Sequence, residues 1–203
     1  VTDKGKRPIT FSFNGGPGSS SVWLHMGVLG PRRVVLTDDG EMPPPPFKLT
    51  DNQYSILDDT DLVFIDPMST GFSRPVDGEK SKEWHTFTKD IESVGDFIRL
   101  YTTRYNRWLS PKFLAGESYG TTRSAGLSGY LQSRHGMLLN GLILISAVLD
   151  FTTIDFNLNN DLPYILFLPA YAATAWYHGK LNFKASLQTV VKEAKEFALG
   201  EYA

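Results

Sequence analysis

Four short apolar runs do most to limit what this chain can fold into. Ile9–Phe13 (ITFSF), Leu62–Ile65 (LVFI), Phe113–Ala115 and Leu142–Ile145 (LILI) have the length and the residue types of buried strands. Between the second and third runs, Phe87, Ile91, Val94, Phe97, Ile98 and Tyr101 recur at helical spacing. They predict a helix capped by Thr86 or Thr88 and running to about Tyr105. A second helix is predicted from Tyr119 to about His135, with Gly136 placed just past its end. Buried strands separated by helices imply a mostly parallel sheet flanked by helices, an α/β fold.

The texture changes after Asp150. Asn157–Asp161 is polar, Leu162–Tyr177 is rich in Leu, Ala and aromatics with prolines at 163 and 169, and strand signals stop. Residues 1–150 therefore read as the α/β core, and 151–203 as the start of a helical insertion or cap. Val190–Leu199 reads as an amphipathic helix, and Pro43–Pro46 as an extended surface crossing. Val1–Arg7 reads as a turn before a strand, with neither an initiator methionine nor a signal-peptide pattern. The chain has the look of a piece of a longer one.

Composition removes several function classes. A net charge of -2 gives no electrostatic case for nucleic acid or an anionic membrane surface. The most apolar stretch, Leu138–Leu149, is too short for a membrane span. With no cysteine, thiolate catalysis and cysteine-based zinc sites are excluded.

The third strand runs into Gly116-Glu117-Ser118-Tyr119-Gly120, a Gly-x-Ser-x-Gly pattern between a predicted strand and a predicted helix. In that setting the serine sits on a sharp turn with its hydroxyl exposed at the helix N-terminus, where developing negative charge is favoured. Acyl transfer also needs two N–H donors aimed at the oxyanion. Tyr119, next after the serine, supplies one by position. The loop Asn14-Gly15-Gly16-Pro17-Gly18, directly after the first strand, is the candidate for the other. A phosphate-loop reading of those glycines fails, because no Gly-Lys-Ser/Thr follows.

Asn14–Ser20 (NGGPGSS), Gly30-Pro31, Asp66–Ser73 (DPMSTGFS) and Gly116–Gly120 (GESYG) occur in the order and spacing of the serine carboxypeptidases. Over residues 8 to 150 the chain resembles that family, whose fold is an α/β-hydrolase sheet with a helical insertion. The resemblance implies Ser118 as nucleophile and the N–H groups of Gly16 and Tyr119 as oxyanion hole. It also implies Asn14, Gly15 and Glu117 as the holders of the substrate's free C-terminal carboxylate. The other reading of Glu117 is a structural hydrogen bond to the Asn14–Gly18 loop. Two positions depart from the family: Val28 stands where it usually has a second glutamate, and Ser19 where it usually has a cysteine. The first removes the carboxyl pair behind the family's acid preference, and the second points to a bacterial-type branch.

In α/β hydrolases the acid and the histidine follow the serine. His25 and His85 precede it, His135 falls at the end of the following helix near its dipole, and His178 reads as a surface turn. The catalytic Asp and His are therefore expected beyond Ala203. Three further groups have competing readings. Asp58, Asp59 and Asp61 read as solvated loop carboxylates rather than a cation site. Arg123 reads as a salt bridge to a neighbouring loop or as a contact to substrate carboxylate. Trp176 and Tyr177 read as core packing or a pocket wall.

The function expected is a serine carboxypeptidase acting on peptides with a free C-terminus, without metal or organic cofactor. This stretch alone is expected to be inactive. The alternatives are an acyltransferase or esterase on the same fold, or a non-catalytic binding or protective protein. The resemblance implies a periplasmic or secreted location.

Overall fold

The structure, a computed structural model, describes residues 5–203. Of the turn expected before the first strand, Gly5–Arg7 form a turn and bend, and residues 1–4 lie outside the described residues. The chain divides into two compact units, Val1–Leu149 and Asp150–Ala203.

In chain order the first unit contains β1 (Ile9–Phe13), α1 (Val22–Leu24), β2 (Arg32–Val34), β3 (Leu49–Asp51) and β4 (Asp61–Phe64). It continues with α2 (Phe87–Arg104), β5 (Lys112–Glu117), α3 (Tyr119–His135) and β6 (Gly141–Ile145). The main sheet has the order β4-β1-β5-β6 and every pairing in it is parallel. Each apolar run read from the sequence is one of its strands. This mostly parallel sheet flanked by helices is the α/β architecture of an α/β hydrolase.

Burial explains why β1 and β5 read as apolar, but the burial expected of Leu142–Ile145 is not found: Leu142, Ile143 and Leu144 of the edge strand β6 are exposed. All five residues of β1 are buried, at the centre of the sheet. Its Ile9, Phe11 and Phe13 pack with Val63, Leu114, and Ile91, Val94 and Ile98 of α2 and Leu127 and Leu131 of α3. The other face carries a smaller cluster of Leu24, Leu29 and Ala115. Leu24 and Leu29 belong to α1 and the π-helical turn His25–Leu29 that extends it, closed by a Gly30 N–H donating to the His25 carbonyl at 3.0 Å. Around β1 and β5 the sheet is therefore covered on both faces.

Helix ends follow the residues expected to make them. The Thr86 side chain accepts from Lys89 N–H and starts α2, so Thr86 rather than Thr88 is the cap. Gly136 closes α3 in the left-handed conformation, φ 61°. The antiparallel pair β2–β3 was not expected from the sequence.

Asp61 corrects one expectation. It is no solvated loop carboxylate: it opens β4 and binds both Arg7, at 2.7 Å, and Arg107. His135 does more than face a helix dipole, since its Nε2 meets Asp96 Oδ1 of α2 at 2.9 Å.

The second unit contains α4 (Leu162–Tyr177) and α5 (Leu187–Ala198), packed against each other. Helix α5 begins three residues before the Val190 expected, where the Ser186 side chain accepts from Thr189 N–H. Trp176 donates through Nε1 to the Ala185 carbonyl at 2.8 Å, and Tyr177 is 73% exposed, so core packing does not describe Tyr177. His178 caps α4 and precedes Gly179, at φ 63°, in the surface turn expected of it. Among the described residues no helix is long and apolar enough to cross a membrane.

Candidate active site

Ser118 joins β5 to α3 at φ 57° and ψ -126°, a backbone conformation that side chains rarely adopt. Its neighbours hold it there. Ser118 N–H donates to the Ile145 carbonyl at the end of β6 (3.0 Å), and its own carbonyl accepts from Thr121 N–H (2.8 Å) and Thr121 Oγ1 (2.7 Å). Thr121 Oγ1 in turn accepts from Val148 N–H at 2.8 Å, tying the chain after β6 to the same turn. The flanking glycines are required by space: a Cβ at Gly116 would collide with the Gly120 carbonyl.

The glycine loop after β1 packs directly on this turn. A Cβ at Gly15 would lie 2.5 Å from Tyr119 N and 2.7 Å from Gly120 N. Only a residue without a side chain lets the two backbones approach so closely. Tyr119 is the first residue of α3, so its N–H has no acceptor within the helix. Among the described residues the Gly16 N–H also has no acceptor. The loop is anchored from β4 as well, because Asp66 Oδ1 accepts from Ser21 N–H at 2.8 Å. Asp66 is itself held by Ser73, whose hydroxyl donates to the Asp66 carbonyl at 2.7 Å. That places the Asp66–Ser73 block of the sequence behind the glycine loop.

Asn14 joins the loop to the serine's neighbour. Its Nδ2 donates to Glu117 Oε2 at 3.1 Å, and its Oδ1 accepts from Leu24 N–H at 2.9 Å. The structural hydrogen bond considered for Glu117 is thus present. Asn14, Gly16, Glu117 and Ser118 open on a cleft of about 460 Å³ that Trp23, Val28 and Ile145 also line. Val28 is exposed there, with its carbonyl held by Asn52 Nδ2 at 2.8 Å.

Beneath the loop lies Arg123, fully buried on α3. It binds Asp90 of α2 through Nε (2.7 Å) and Nη2 (3.1 Å), and donates through Nη1 to the Asn14 carbonyl at 2.7 Å. Of the two readings of Arg123 the salt bridge is the one found, with its carboxylate on a helix rather than a loop. Burial first, then the Asp90 carboxylate, pushes the Tyr119 phenol above its ordinary range, against the pull of Arg123. Asp90 was missed in the sequence, where it looks like an ordinary acid in a first helical turn. Arg123 carries a signal: it stands at positions 123, 127 and 131 with Leu127 and Leu131, on the buried stripe of α3.

Among the described residues nothing hydrogen-bonds the Ser118 hydroxyl. His25 stacks on Phe64 with ring centroids 4.3 Å apart, and His85 lies in the 3-10 turn Ser81–His85 before α2. His135 is taken by Asp96, and His178 belongs to the second unit.

The sequence profile of serine carboxypeptidases matches residues 2–182. The chain belongs to the serine carboxypeptidase family. Among curated members it is 30% identical over 141 residues to Serine carboxypeptidase-like 33 of Arabidopsis thaliana, covering 64% of this chain and 26% of that protein. It is 37% identical over 120 residues to the Pheromone-processing carboxypeptidase KEX1 of Saccharomyces cerevisiae, covering 56% of this chain and 15% of that protein. The chain therefore spans about a quarter or less of these relatives.

Proposed function

We propose that this chain carries the nucleophile and oxyanion hole of a serine-type carboxypeptidase. The single observation that carries the reading is the packing of Gly15, next to Gly16, against Tyr119 N and Gly120 N, directly beside a Ser118 held at positive φ. Ser118 Oγ attacks the carbonyl carbon of the last peptide bond, while a histidine takes its proton. The Gly16 and Tyr119 N–H groups receive the oxyanion. The C–N bond then breaks, the departing amino acid takes the proton, and water hydrolyses the resulting ester.

The histidine and the acid that orients it lie outside these 203 residues, in a longer protein of which this is a part. Without them the serine has no base, and this stretch alone is inactive. Asn14, Gly15 and Glu117 bind the substrate's terminal carboxylate. Asn14 has two N–H donors and spends one on Glu117, leaving the other for the substrate. The family resemblance supports an exported protein, periplasmic or secreted.

The test is fluorophosphonate labelling of the full-length protein, with peptides offered free or amidated at the C-terminus. Labelling at Ser118 and trimming of the free peptides alone is the expected result. Equal cleavage of amidated peptides or simple esters would give the site to an esterase or acyltransferase. A folded protein that does not label is no serine hydrolase.

A further inference from the structure

Arg123 contacts both halves of the proposed oxyanion hole. Its guanidinium donates to the Asn14 carbonyl, one peptide before the Gly15–Gly16 segment. The same group lies 5.2 Å from the centroid of the Tyr119 ring and 5.3 Å from that of Phe13. Tyr119 carries one oxyanion donor, Gly16 the other, and Phe13 ends the strand from which the glycine loop departs. The remaining guanidinium edge is filled by the two oxygens of Asp90. Asp90 is itself fixed in the first turn of α2, its N–H donating to the Thr86 carbonyl at 2.9 Å.

We infer that Arg123, held by Asp90, is the positioning residue of the oxyanion hole: it fixes the Asn14–Gly16 backbone relative to the Tyr119 N–H. The inference rests on the hydrolase reading above. Glycines let two backbones approach, but they do not by themselves fix one against the other. A planar fork with five donors can bind a carboxylate on one edge and a carbonyl on another. A lysine keeps the charge beside Asp90 but cannot make the three bonds in one plane. Arg123 touches no reacting atom; its effect is on where the oxyanion donors point, and so falls more on the transition state than on the substrate carboxylate that Asn14 and Gly15 hold.

The experiment uses the full-length protein as wild type, Arg123→Lys and Asp90→Asn, each checked for folding by circular dichroism and thermal melting. Three quantities are read: the rate of fluorophosphonate labelling, kcat and KM on a peptide with a free C-terminus, and affinity for a peptidyl boronate. The boronate forms a tetrahedral adduct that needs the oxyanion donors. Arg123→Lys is expected to lower kcat about 100-fold, the scale of losing one such donor, with a rise in KM well below that factor from the shift of Asn14 and Gly15. Boronate affinity should fall by the same factor as kcat/KM. Asp90→Asn, which leaves the bond to Asn14 in place, should lose about tenfold.

A folded Arg123→Lys with wild-type kcat and boronate affinity overturns the inference, as does a loss confined to KM. If the lysine variant does not fold, Asp90→Asn decides, and an unchanged kcat overturns it. A wild type inert to the fluorophosphonate overturns the hydrolase reading and this inference with it. A reactive wild type with an equally reactive folded variant overturns the inference alone.

Discussion

The Asn14 amide donates to the Glu117 carboxylate at 3.1 Å, across 103 positions of sequence. The contact closes the glycine loop onto the serine turn, and it shares Asn14 with a second bond, the one accepted from Leu24 N–H. Asn14 thus serves structure and the proposed carboxylate site together. Asn14→Ala leaves the buried Leu24 N–H without its acceptor and should cost about 1–3 kcal/mol in a denaturant melt. The KM for free C-terminal peptides should rise more than that for the same peptides amidated, which a purely structural loss would not produce.

Ser118 occupies its conformation because β6, Thr121 and the glycines hold it there. Glycine reaches φ 57° with little cost, whereas alanine carries the same Cβ strain as serine. Ser118→Gly should therefore be more stable than Ser118→Ala by about 1 kcal/mol, though both lack the hydroxyl. Thermal melts of the two variants measure the difference. Equal melting would mean that the turn stores no strain at this residue.

The strands and long helices could be read in advance because each rests on a local rule. β1 is wholly buried and so wholly β-forming, and α3 opens after a glycine-flanked serine and closes on Gly136. Ser118 stood out for the same reason, in a pattern placed between a strand and a helix. The segment Val22–Leu29 was hidden because its buried residues, Leu24 and Leu29, stand five apart, the spacing of a π turn rather than an α-helix. β2 and β3 were hidden because each has three residues and no buried one. Asp61 and Asp90 could not be placed, since each is defined by arginines far off in sequence that only the fold brings near.

Val28 and Glu117 line one cleft. A second carboxyl at position 28 would share that cleft with Glu117, and two carboxyls close enough to interact resist losing both protons. In Val28→Glu the proton they share is retained at higher pH and becomes available to bond a substrate carboxylate. The pH profile of kcat/KM should then gain relative activity on its acid side, moving by about one pH unit. A profile superimposable on that of the wild type would show that the two positions do not communicate.

Asp61 sets a pH dependence of stability away from the site. Burial alone would raise its pKa, but the hydrogen bonds and charges of Arg7 and Arg107 outweigh that and hold it below the ordinary carboxylate value. A carboxylate whose pKa is lower folded than unfolded stabilises the fold above its unfolded pKa of about 3.9, and that contribution disappears as pH falls through the folded value. The side chain is 38% exposed, so solvent screening limits the effect to about 1 kcal/mol. Asp61→Asn should accordingly melt below the wild type at pH 7, with the two curves converging as pH is lowered beneath about 3.9. Denaturation of both proteins between pH 7 and pH 3 measures this. A gap that stays constant across that range would mean the contribution comes from packing rather than from the charge on Asp61.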